Sequence, residues 1–123
     1  FLKQKNVLGL PLEMCCLQPK SGILRDGYCC SIPQDRGRHL VCARITKEFL
    51  HFSLKRGNDL ITPNRDHAFP GLVPGNFWCL CVDRWYEAYQ SGVAPSIKLQ
   101  ATHENTLQSI PLDLLKKYAL DLQ

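Results

Sequence analysis

Seven cysteines, Cys15, Cys16, Cys29, Cys30, Cys42, Cys79 and Cys81, include two vicinal pairs. Neighbouring side chains diverge in extended backbone, so at most one member of Cys15-Cys16 and one of Cys29-Cys30 can face a shared site. Cys79 and Cys81 lie in Phe77-Trp78-Cys79-Leu80-Cys81-Val82, which reads as a strand. Alternate residues there share a face with Cα atoms about 6.6 Å apart, near the upper limit of disulfide geometry and wide for one tetrahedral ion. An odd cysteine count does not resemble a secreted disulfide scaffold and points to a reducing, cytoplasmic setting. Most of these thiols then read as small buried hydrophobes.

A chain of 123 residues, 45% apolar and 21% charged, is expected to form a single domain over 1–123 with one core. Its longest apolar run, Phe77 to Val82, is far short of the roughly 20 residues that cross a bilayer. The opening Phe1-Leu2-Lys3-Gln4-Lys5-Asn6 lacks the apolar run and small-residue cleavage site of a secretory signal. The net charge of +4 is spread, with only Lys55-Arg56 and Lys116-Lys117 adjacent. A nucleic-acid footprint is therefore not expected.

From Gly9 to Arg38 the density of Pro and Gly predicts turns and short extended pieces that wrap over the core. Leu40 to Ile45 reads as a strand and Thr46 as the cap of a helix with Phe49, Leu50, Phe52 and Leu54 on its apolar side, stopped by Gly57. A second strand, Phe77 to Val82, leads to a helix capped by Asp83, with Trp85, Ala88 and Tyr89 inward and Gly92 at its end. Ile97 to Ala101 alternates like a third strand, and Thr102 caps a short helical turn through His103, Glu104 and Leu107. Leu112, Leu115, Ala119 and Leu122 after Pro111 mark an amphipathic C-terminal helix. The expected class is α+β: a small mixed sheet of about three strands, with some parallel pairing, three amphipathic helices and a turn-rich N-terminal segment. The loop Gly57 to Asn76 is long enough to be a binding loop, or an Ω-like loop packed through Leu60, Phe69 and Leu72.

The words Asn6-Val7-Leu8-Gly9, Arg25-Asp26-Gly27, His39-Leu40-Val41-Cys42-Ala43, Gly57-Asn58-Asp59-Leu60, Phe69-Pro70-Gly71-Leu72, Trp78-Cys79-Leu80-Cys81, Arg84-Trp85 and Ala101-Thr102-His103-Glu104 occur in this order. Together they resemble the bacterial family named domain of unknown function 2237, over nearly the whole chain. Where that family carries an acidic residue this chain has Asn76, and where it carries single cysteines this chain has the two vicinal pairs. The resemblance implies no catalytic residue, cofactor or substrate, and the departure at Asn76 argues against any mechanism that needs a carboxylate there.

Three chemistries compete. A binding or accessory domain for a small molecule or a protein partner would use Arg25, Asp26, Asn58, Asp59, Arg84 and His103 beside the long loop, with Trp78 as a pocket wall. Against it, Asp26-Gly27 and Asn58-Asp59 suit turns whose short polar side chains satisfy local backbone groups. A thiol enzyme would draw on Cys29, Cys42, Cys79 or Cys81 with His39 or His103 as base. His39 and Cys42, an odd number of residues apart on one strand, are expected on opposite faces. A structural zinc site would use some of Cys15, Cys29, Cys79, Cys81, His39 and His103. No strong zinc spacing is present, so no ligand set is assigned. His51 is expected on the exposed side of the first helix, and neither it nor His67 is given a role. No Gly-rich phosphate loop, G-x-S-x-G, H-E-x-x-H or EF-hand pattern occurs.

Overall fold

A computed structural model describes residues 4–121. Two strands, β1 (His39–Arg44) and β2 (Phe77–Cys81), pair antiparallel. Both are apolar enough to be buried on two sides. Val41, Ala43, Trp78 and Leu80 face the main core, while Cys42, Cys79 and Phe77 face a second, smaller cluster. Helices α1 (Lys47–Lys55) and α2 (Val82–Gln90) cover the first face, burying Phe49, Leu50, Trp85 and Ala88. The second face is covered by the N-terminal segment, as its turn density predicts. Among the described residues no helix is long and apolar enough to cross a membrane.

Helix α1 begins as expected, with Thr46 Oγ1 accepting from Phe49 N at 3.1 Å. The inward positions differ by one: Ser53 is buried whereas Leu54 is 48% exposed. Helix α2 starts at Val82, directly on the end of β2, with Cys81 at the N-cap and no side-chain cap. Asp83 is therefore in the first turn, where its charge favours the helix dipole, and it pairs with Arg38 at 3.8 Å.

The expected third strand does not form. Ser96 to His103 runs beside β1, with Arg44 N bonded to Ser96 O, Lys98 N to Cys42 O and His103 N to Leu40 O. The ladder breaks between these contacts because the Asp121 carboxylate accepts from Leu99 N and Gln100 N at 2.8 and 3.0 Å. Those residues turn into a 3-10 helix, Leu99–Ala101, and Thr102 Oγ1 replaces a backbone partner for Cys42 N. The strands present are thus antiparallel, and among the described residues the parallel pairing expected survives only as an isolated bridge between Ile97 and Ala119.

That bridge also shortens the C-terminal helix, α3, to Leu112–Lys116. Ile97 takes hydrogen bonds with Tyr118 O and Leu120 N, which a continuing helix would have claimed. Leu115 is buried and Leu112 and Ala119 pack at the edge of the core; Leu122, expected on the same side, lies outside the described residues, as do Phe1 to Lys3. The turn after Thr102 is capped by His103, whose Nδ1 accepts from Asn105 N at 3.0 Å, while the Thr102 hydroxyl turns back to Lys98 O. Asn6 anchors the N-terminal segment: its buried amide donates to Pro11 O and Gln100 O and accepts from Leu8 N and Leu10 N.

Candidate functional site

The smaller face of the sheet gathers four cysteines from distant parts of the chain. Cys42 and Cys79 are directly opposite across β1 and β2. Cys15 bonds Cys42 and Cys29 bonds Cys79, with Cα separations of 5.7 and 5.3 Å. The sulfurs of Cys15, Cys29 and Cys79 all lie within 4.8 Å of one another. One member of each vicinal pair is bonded within this cluster; Cys16 packs at its edge as a free thiol, and Cys30 is a free thiol outside it. The expectation that most thiols are isolated hydrophobes is corrected for these four, because folding opposes residues that the sequence separates by 27 and 50 positions. Cys16, Cys30 and Cys81 remain thiols. Burial, then the Asp26 and Asp35 carboxylates, push the Cys30 thiol up, so it is inert packing.

A bulge between His39 and Val41 inserts one residue in β1, so that His39 opposes Cys81 while Cys42 opposes Cys79. Cys79 and Cys81 are two apart and share a face, so the bulge brings His39 onto the same face as Cys42. This reverses the parity expected for an unbroken strand. The His39 ring is fixed from two sides. Its Nδ1 is 2.7 Å from Oδ1 of Asp35, whose side chain is 2% exposed, and a carboxylate only accepts, so Nδ1 carries the proton. The ring also rests on Gly37, where an added Cβ would come within 2.6 Å of it.

Beside this dyad opens a cavity of about 310 Å³ lined by Gly22, Ile23, Arg25, His39, His67, Trp78 and Cys79. Arg25 is held across it in a left-handed backbone conformation, φ 55°, uncommon for a residue with a side chain. Its guanidinium lies 5.0 Å from the centre of the Trp78 ring and donates to the main-chain oxygens of Gly22, His67 and Ala68. Partial burial lowers its pKa from the ordinary value. Arginine nonetheless stays charged in proteins. No carboxylate pairs with it among the described residues. On its other side Arg25 borders a second, more open cavity of about 490 Å³ along the long loop, with Asp59, Arg65 and Asp66.

The long loop is packed rather than unstructured. Leu72 N bonds Leu60 O, Asn64 and Phe69 exchange two backbone bonds around a 3-10 turn, and Leu60, Phe69 and Leu72 meet the core. Gly71 is required there: its φ is +81° and a Cβ would stand 2.4 Å from Ile61 O.

Of the residues expected to bind a ligand, Arg25 and Trp78 meet at one cavity and Arg25 and Asp59 at the other. Asp59 and the remaining positions have local structural work. Asp59 accepts from Ile61 N and Thr62 N, and bonds with Thr62 and Ile61 hold its carboxyl below the usual range. Asp26 accepts from Tyr28 N, and Asn58 N closes the end of α1 on Ser53 O. Arg84 donates to Arg56 O at that same helix end and to Glu87. His103 is buried as a cap, and burial, partly offset by Glu104, lowers its pKa and favours the neutral ring. Asn76 Oδ1 accepts from Val73 N in a turn, a bond that a carboxylate could make equally well.

His67 and Asp35 were the missed members. Asp35 lies four residues before His39 in a Pro-Gln-Asp turn, and no local pattern marks that turn as folding its carboxylate back onto the ring. Among curated proteins none matches the chain. The model of a family described as an uncharacterized protein conserved in bacteria (DUF2237) matches residues 5–119, and the chain belongs to that family.

Proposed function

We propose that this chain is a small-molecule-binding domain whose ligand is a small anion, held in the cavity between Gly22, Arg25, His39, His67 and Trp78. One observation carries the reading: the Arg25 guanidinium, half-buried and without a carboxylate partner among the described residues, has three of its five N–H groups on main-chain oxygens and two left for a ligand. Trp78 supplies an apolar wall and fixes the plane of the guanidinium. The volume suits a molecule of a few heavy atoms, at the small end of ligand cavities. A cytoplasmic location is part of this reading, and the disulfides Cys15–Cys42 and Cys29–Cys79 are then bonds that a reducing compartment opens.

Titration of the full chain with inorganic phosphate, sulfate and citrate, followed by NMR, tests it. The Trp78 indole and the His39 and His67 rings are expected to shift saturably. Arg25→Gln is expected to weaken binding about 10- to 100-fold, with Arg25→Lys between the two. Shifts spread over the surface without saturation, or equal affinity in a folded Arg25→Gln variant, would overturn the assignment.

A second reading is favoured by the strand register. Cys81, a half-exposed thiol at the N-cap of α2, is directly opposite His39, and Asp35 orients that ring. Opposed residues have Cβ atoms about 5 Å apart, which makes His39 a base available to Cys81. On this reading Cys81 alkylates at least about tenfold faster than Cys16 at neutral pH, and His39→Gln removes the difference. Equal rates would exclude it.

A further inference from the structure

We propose that the two disulfides are the oxidised form of a zinc site whose four ligands are the thiolates of Cys15, Cys29, Cys42 and Cys79. The site borders the anion cavity through Cys79 but does not depend on a ligand being held there.

Three sulfurs from three chain positions converge at one buried spot, and a disulfide to Cys15 tethers the fourth, that of Cys42, beside them. The sulfurs of Cys15, Cys29 and Cys79 lie within 4.8 Å of one another, and Cys42 is bonded to Cys15. Zinc–sulfur bonds of about 2.3 Å in a tetrahedron place neighbouring sulfurs about 3.8 Å apart. Closing a zinc site therefore needs the bonded pairs to spread and the unbonded ones to draw together, Cys42, which lies outside the 4.8 Å group, most of all.

The backbone anchors do not rely on the disulfides. Cys42 and Cys79 are fixed opposite each other by the sheet, and Cys15 N is bonded to Gly27 O at 2.7 Å. Ala101 and Phe77 close the surroundings, so the site has the closed, four-ligand character of structural zinc and no open position. Arg25, on the cavity that Cys79 borders, places a positive charge beside a tetrathiolate.

That cavity also gives a reductant its approach. A thiolate of an external dithiol attacks the Cys79 sulfur, the bond to Cys29 breaks, and Cys29 leaves as a thiolate. The second thiol of the reductant attacks the mixed disulfide, releases Cys79 and closes the reductant's own disulfide. The same two-electron exchange opens Cys15–Cys42. The four thiols then lose four protons as one Zn²⁺ takes their place. Of the sequence-derived zinc candidates, Cys15, Cys29 and Cys79 belong to this set; Cys42 replaces Cys81, His39 and His103.

The test is anaerobic titration of the full chain with Co²⁺, before and after reduction by a phosphine that is then removed. The reduced chain is expected to bind one equivalent with the visible spectrum of tetrahedral cobalt thiolate, displaced by Zn²⁺, and the oxidised chain none. Cys42→Ser and Cys79→Ser are each expected to lower affinity by about a hundredfold or more, while Cys16→Ser with Cys81→Ser leaves it unchanged. If reduction unfolds the chain, Co²⁺ is expected to restore its circular dichroism. No thiolate spectrum after reduction, equal binding by the oxidised chain, or a spectrum lost with Cys16 and Cys81 would each overturn the proposal.

Discussion

Trp85→Ala is expected to destabilise the chain by about 3–5 kcal/mol, a large part of the roughly 5–15 kcal/mol that holds a domain folded. Trp85 is fully buried on α2 and its Nε1–H donates to Pro95 O at 3.0 Å. Its ring meets Tyr118 edge-on at 5.2 Å and lies parallel to Tyr89 at 6.1 Å. Truncation removes the packing that joins α2 to the C-terminal segment and leaves the Pro95 carbonyl without its donor. Trp85→Phe keeps much of the volume and should cost about 1–3 kcal/mol, chiefly from that unpaired carbonyl. Val73→Ala, at a residue 61% exposed, should stay within about 0.5 kcal/mol. Urea unfolding read by circular dichroism separates these values, and a Trp85→Ala loss no larger than that of Val73→Ala would contradict this view of the core.

In the oxidised chain, replacing Cys29 and Cys79 together by alanine is expected to lower stability by about 4 kcal/mol. The loop they close spans 50 residues, and the unfolded chain regains the freedom that closure removes. Opening Cys15–Cys42, across 27 residues, should cost slightly less. The two losses should not add, because the sulfurs of three of the four cysteines are within 4.8 Å and one repacked cluster replaces both links. Thermal unfolding with and without a thiol reductant gives the comparison. If the reductant leaves the midpoint of the wild-type chain unchanged in metal-free buffer, the disulfides contribute nothing to stability.

Helix α1, the two strands and helix α2 were legible in the sequence because their causes are local. Thr46 caps the turn that it precedes, and Phe49, Leu50, Trp85 and Ala88 recur at helical spacing within a few residues of one another. The same holds for the cysteine doublets, since neighbouring side chains diverge whatever the rest of the chain does. The long loop's packing through Leu60, Phe69 and Leu72 was also readable as one of two options, since three apolar residues in a turn-rich stretch need cover.

What only the tertiary structure decided depended on groups far apart in sequence. Ile97 to Ala101 has the alternation of a strand, yet Asp121 takes the donors of Leu99 and Gln100, and no local pattern announces a carboxylate 22 residues away. The bulge in β1 moved His39 onto the face of Cys42, because strand parity counts residues and cannot see an insertion made by pairing with β2. The cysteine partners and the Arg25 cavity were hidden for the same reason: each is assembled from segments that meet only when the N-terminal turns close over the sheet. Local spacing sets which way a side chain points along its own element, and long-range pairing sets what it meets there.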